Sequence, residues 1–245
     1  MNDSTNLSRK SFLLAPVVFV VGILLLALTW VVMEPAALHH AFDNNGRSPF
    51  ELATLPFYAA IIPLVWWKCP FTGSTVRRAV LCSAVSCVAF MAICKELDWH
   101  VAAMTHLYPD VVANFKGTPF KMRFLRADGV PLGAKLFSLA YFAALFGVFG
   151  VTLIYFAKDL IVGFFKLNPA AWSVCFLGGS GVMVQLCDRM PAWIRHAQGL
   201  PKSKVIDATS SFFTCFEEGG EMMIAVFALI AIVQAHRIYT HPRRV

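Results

Sequence analysis

Three glutamates, Glu217, Glu218 and Glu221, stand close together in the last quarter of this sequence. They interrupt a run, about 208–236, that is otherwise apolar enough to cross a bilayer, where an unpartnered carboxylate costs several kcal/mol. At about 100° per residue, the three side chains share one stripe of a helix, in a sector about 100° wide. Like charges this close repel one another, so the group requires protons, basic side chains or a cation.

A second cluster, Lys95-Glu96-Leu97-Asp98-Trp99-His100, ends the third apolar run. Glu96 and His100 are four residues apart and would share a face of one continuous helix, where one metal ion or one proton can reach both. Asp98 points away from that face and is three residues from Lys95. This spacing predicts an Asp98–Lys95 ion pair at the membrane interface.

Chain order places both clusters on the same side of the membrane, because successive spans cross in opposite directions. Other acidic, histidine and arginine residues share that side: Glu34, His39, His40, Glu51, His106, Asp188, Arg189 and His196. The opposite side carries mostly Lys and Arg. The sequence therefore predicts one polar site that opens at one leaflet.

Glu, Asp and His side chains on converging helices suggest a hard or borderline divalent metal such as Zn, Mn or Fe. The predicted ligands are Glu96, His100, Glu217, Glu218, Glu221 and Asp188, and the predicted catalytic groups are Glu96, His100, Glu217 and Glu221. An anionic head group would be held by Arg189, Arg195 or Lys121. The leading hypothesis is a membrane-embedded, metal-dependent enzyme that acts on a lipid or lipid-linked substrate.

Two other functions fit the same carboxylates. A proton- or cation-coupled transporter would load and release its coupling ion there. A membrane interaction subunit would pair the carboxylates with basic residues of a partner protein. The sequence contains no His-Glu-x-x-His zinc motif that would favour one of these functions. We expect membrane lipids as partners in the first case and another membrane protein in the last.

Six apolar runs must position these residues, each close to the 20 residues that cross the hydrocarbon core of a bilayer. They are about 11–33, 50–67, 79–100, 136–157, 168–187 and 208–236. Of the 245 residues, 58% are hydrophobic and only 14% charged, which excludes a soluble enzyme and a nucleic-acid-binding protein. The predicted fold is an all-α polytopic integral membrane protein with about six transmembrane helices in one bundle, a single domain over residues 1–245.

The remaining charges and cysteines fit this class. The net charge of +7 comes from basic residues that lie mostly between or beyond the apolar runs, where lipid head groups are found. The seven cysteines include no Cys-x-x-Cys pair and are interpreted as small core residues. Tight basic clusters beside the span ends favour a cell (inner) membrane location with cytoplasmic termini.

Overall fold

The computed structural model describes residues 11–43, 48–68, 74–115, 122–197 and 208–240, and every element in these ranges is a helix. Within them, six helices are long and apolar enough to cross a membrane: Ser11–Val32, Pro49–Trp67, Thr75–Glu96, Leu132–Phe165, Pro169–Ala197 and Thr209–Ile238. The predicted fold class, an all-α polytopic membrane protein with six spans, is confirmed. The choice of membrane and the side of the termini stay predictions.

In chain order the helices are α1 (Leu14–Val32), α2 (Pro35–Phe42), α3 (Pro49–Trp67), α4 (Thr75–Glu96), α5 (Trp99–Leu107), α6 (Pro109–Phe115), α7 (Met122–Arg126), α8 (Leu132–Phe142), α9 (Val148–Phe165), α10 (Pro169–Ala197) and α11 (Ala208–Thr240). A 3-10 turn, Ser11–Leu13, precedes α1. A π-helical segment, Ala143–Gly147, joins α8 to α9, so that the two helices form one span.

The third span begins and ends about four residues earlier than the predicted range 79–100. It begins early because the Ser74 hydroxyl caps α4 by accepting a hydrogen bond from the Arg77 backbone N–H, at 3.3 Å. It ends at Glu96 because Asp98 adopts φ 52°, in the left-handed region that a right-handed helix cannot include. Glu96 and His100 are therefore not on one continuous helix, which corrects the prediction that they share a helix face.

The fourth and fifth spans are longer than predicted and continue past charged residues. In α9 the carboxylate of Asp159 is paired with the Arg77 guanidinium at 2.6 Å, so the helix continues beyond that charge to Phe165. In α10 the helix runs past Asp188 and Arg189 and through Pro191. These two helices reach beyond the hydrocarbon core, where charged side chains meet water and head groups.

Helix α11 is the centre of the bundle and packs against α10, α3, α1 and α2. Two glycines allow this close approach. A Cβ at Gly220 would lie 2.6 Å from Cγ2 of Val184 in α10, and a Cβ at Gly219 would overlap Leu26 in α1. With α1 and α10 against the glycine faces, the glutamate stripe of α11 is left for α3 and α4.

Candidate functional site

Three carboxylates meet where the end of α4 reaches the middle of α11. One oxygen from each of Glu96, Glu218 and Glu221 lies within 4.8 Å of the other two. Glu96 is the last residue of α4, and the two α11 glutamates are three residues apart on one helix face. The Glu96 side chain is only 2% exposed and that of Glu221 12%, so water screens their charges poorly. We call these three residues the carboxylate cluster.

Lys95 is the basic partner of the carboxylate cluster. Its ammonium group donates a hydrogen bond to Oε2 of Glu221 and lies 3.4 Å from Oε1 of Glu96. The predicted ion pair between Lys95 and Asp98 is wrong, because the helix break at Asp98 leaves Lys95 directed at α11. One ammonium group against three carboxylates leaves a net charge of −2 when all four groups are ionised. The cluster therefore still requires protons or a cation.

Tyr58 connects α3 to the same site. Its side chain is buried, and its hydroxyl donates a 3.0 Å hydrogen bond to the backbone carbonyl of Glu221. Tyr58 was not among the site residues predicted from the sequence, although it lies between Pro56 and Pro63 in an apolar span. The site is thus built from three spans, α3, α4 and α11.

His100 lies near the cluster but does not join it. Neither of its ring nitrogens falls within 4.8 Å of all three carboxylates. The ring instead stacks on Tyr141, with centroids 5.0 Å apart, and Nδ1 is 3.3 Å from the carbonyl oxygen of Cys94. Burial lowers the pKa of His100 below its usual range, so the ring is neutral at pH 7. A carbonyl only accepts, so Nδ1 carries the proton in this contact.

The other predicted site residues lie apart from the carboxylate cluster. Glu217 is on the same stripe of α11 but is not one of the three carboxylates whose oxygens lie within 4.8 Å of one another. Oδ2 of Asp188 is 3.2 Å from Nε of Arg189, and both side chains are largely exposed. Arg195 is in the last turn of α10. Lys121 lies outside the described residues.

The carboxylate cluster lies within the apolar part of the bundle. Along α4, Arg78 and Lys95 are separated by about 26 Å, and along α11, Glu221 and Arg237 by about 24 Å, at 1.5 Å per residue. Both lengths approach the roughly 30 Å of the hydrocarbon core. Helix α1 extends further in the opposite direction: Leu26 lies against Gly219, so Glu221 is level with about Leu24, roughly 14 Å before the uncharged run of α1 ends at Met33. The carboxylate cluster therefore lies inside the span rather than at its edge.

Comparisons of the chain with protein-family models, with curated proteins and with solved structures found no match. Function must then be argued from the chemistry of the site. Three carboxylate oxygens at this spacing can hold one divalent ion and leave coordination positions open, or they can share protons among themselves. Because the Lys95 ammonium group donates a hydrogen bond to Glu221, it competes with a metal ion or a proton for that carboxylate.

Proposed function

We propose that this protein is a membrane-embedded enzyme in which Glu96, Glu218 and Glu221 hold a divalent metal ion that acts on a lipid or lipid-linked substrate. The observation that carries the proposal is the convergence of three carboxylate oxygens within 4.8 Å inside the bundle of apolar helices. The charge balance supports it: with Lys95 included, the ionised groups sum to −2, which one divalent ion neutralises.

The donor set favours particular metals. All three donors are carboxylate oxygens, which among the metals expected from the sequence suit Mn best, because Fe and Zn favour sites that include imidazole. Of the three metals expected from the sequence, Zn becomes the weakest candidate because His100 is not among the donors. A metal held by Glu96, Glu218 and Glu221 would supply Lewis-acid chemistry, which activates water for attack on an ester or phosphoester.

Lys95 has a second role in this proposal. If Glu221 held the metal, Lys95 would lose Oε2 of Glu221 as its hydrogen-bond acceptor and keep its contact with Glu96. Its ammonium group would then be available to stabilise negative charge that develops on the substrate oxygen.

A proton- or cation-coupled transporter is the second candidate, and the Lys95–Glu221 ion pair is the observation that favours it. An ammonium group that leaves Glu221 exposes a carboxylate able to take up a proton or a cation from one side of the membrane. Transport requires the same residue to release that ion on the other side. It does not require a lipid to change chemically.

The two candidates are separated in vesicles of phosphatidylethanolamine and phosphatidylglycerol that contain the purified chain and Mn²⁺ or Fe²⁺. The enzyme predicts a new lipid product by mass spectrometry, lost in Glu218→Gln and Glu221→Gln. Glu51→Gln is the matched control, since Glu51 lies on the same side of the membrane by chain order, forms the capping box of α3 with Ser48, and a glutamine can keep that cap. Unchanged lipids together with cation uptake into the vesicles would contradict the enzyme and support the transporter.

A further inference from the structure

An apolar groove lies between α10 and α11, outside the carboxylate cluster. Its volume is about 440 Å³, within the range of ligand pockets. Its walls are apolar and include, from α10, Gly179, Met183 and Met190 and, from α11, Phe212, Phe213 and Phe216. The α10 wall is open to the membrane, because the Val182 side chain is 61% exposed. A lipid can therefore enter from the side.

The groove exists because Gly179 of α10 has no side chain to fill it. A Cβ at Gly179 would have no heavy atom within 4 Å, and the same holds at the neighbouring Gly178. From Gly179 to Arg189 the helix rises about 15 Å, which is half of the roughly 30 Å hydrocarbon core. The groove thus has the length of an acyl chain in one leaflet.

The outer end of the groove carries groups suited to a lipid head group. At about 100° per residue, Arg189 lies about 20° around α10 from the groove residue Val182, and Trp193 about 20° from the groove residue Leu186. The Trp193 side chain is 56% exposed, as is typical of tryptophan at the membrane interface. Nε of Arg189 lies 3.2 Å from Oδ2 of Asp188, and the Arg189 side chain is 65% exposed, so its guanidinium group is accessible to a lipid phosphate.

We propose that this groove binds one acyl chain of a phospholipid from the leaflet that contains the carboxylate cluster, with the phosphate on Arg189. The length of the groove, its apolar walls and the arginine at its outer end select a chain with an anionic phosphate rather than a neutral lipid. The inference goes beyond the proposed enzyme, because the groove binds its lipid whether or not the cluster holds a metal.

Photo-crosslinking tests the groove with the full chain in lipid nanodiscs. One probe is phosphatidylglycerol with a diazirine in the distal half of one acyl chain, and the other is diacylglycerol with the same chain. Crosslinked peptides are mapped by mass spectrometry. Gly179→Leu fills the groove, and Gly178→Leu is the matched control, since both positions have open space for a side chain.

The phosphatidylglycerol probe should label residues 179–190 and 212–216 more strongly than the other spans. Gly179→Leu should reduce that labelling about tenfold, because it displaces two or three methylene groups from the groove, and Gly178→Leu should not. Arg189→Gln should reduce labelling by phosphatidylglycerol to the level of diacylglycerol. Even labelling of all six spans, equal loss in both glycine variants, or equal labelling by both probes in the unmodified protein would overturn the proposal.

Discussion

Replacing Lys95 by methionine tests how the charge of the carboxylate cluster is balanced. Methionine keeps most of the length of the side chain but removes the ammonium group that contacts Glu221 and Glu96. The three carboxylates would then lie within 4.8 Å of one another with no basic partner. We expect a less stable protein that binds divalent metal more tightly.

The magnitude follows from the distances. At an effective dielectric constant of about 20, charges 3.4 Å apart attract by about 5 kcal/mol, and two carboxylates 4.8 Å apart repel by about 3.5 kcal/mol. The Lys95 side chain is 47% exposed, so solvent screening reduces its share by about half. The expected loss in the free energy of unfolding is about 2–3 kcal/mol. Metal affinity should rise at least about tenfold, since one competing charge is gone.

Stability is measured by denaturant titration in mixed micelles, with and without Mn²⁺. Lys135→Met is the control, because Lys135 lies near the start of α8 and contacts none of the three carboxylates. Adding Glu221→Gln to Lys95→Met should restore at least half of the lost stability, since one unpaired charge is removed. A Lys95→Met protein with unchanged stability and unchanged metal affinity would refute the charge balance described above.

Two further predictions concern packing and pH. Gly220→Ala should lower the free energy of unfolding by about 1–3 kcal/mol, because the new Cβ would lie 2.6 Å from Val184. Gly178→Ala is the control and should not lower it, because a Cβ there has open space. Equal effects of the two variants in denaturant titrations would contradict the close α10–α11 contact. Burial lowers the pKa of His100 in the folded protein, so the imidazole binds a proton more readily in the unfolded chain. The contribution of neutral His100 to stability is therefore present above about pH 6.5 and lost as the pH falls. His100→Phe, which keeps a ring against Tyr141, should therefore show a smaller fall in Tm between about pH 7.5 and 5.5, and an identical fall would contradict it.

The spans could be predicted from the sequence because each helix needs about 20 apolar residues to cross a bilayer. The hydropathy of the sequence is enough to find such runs. Their ends could not, because local groups set them. Ser74 caps α4 before its apolar run begins. Asp98 enters the left-handed region and stops the helix inside a stretch that periodicity extends to His100.

The site shows the same division. Helix periodicity places Glu218 and Glu221 on one face of α11, and chain order brings Glu96 to the same side of the membrane. In the structure these three carboxylates lie within 4.8 Å of one another. Lateral packing was not readable, because one sequence does not say which helix faces which. Lys95 was therefore assigned to its neighbour in sequence rather than to α11, and Tyr58 was missed.

The most direct test of the central claim is the metal content of the purified chain, measured by elemental mass spectrometry without chelators. The unmodified protein should carry close to one Mn or Fe per chain. Glu96→Gln and Glu221→Gln should lose it while the Glu51→Gln control retains it. Absence of metal from the unmodified protein after loading with Mn²⁺ and Fe²⁺, or retention of the metal in both cluster variants, would contradict a metal centre at the carboxylate cluster.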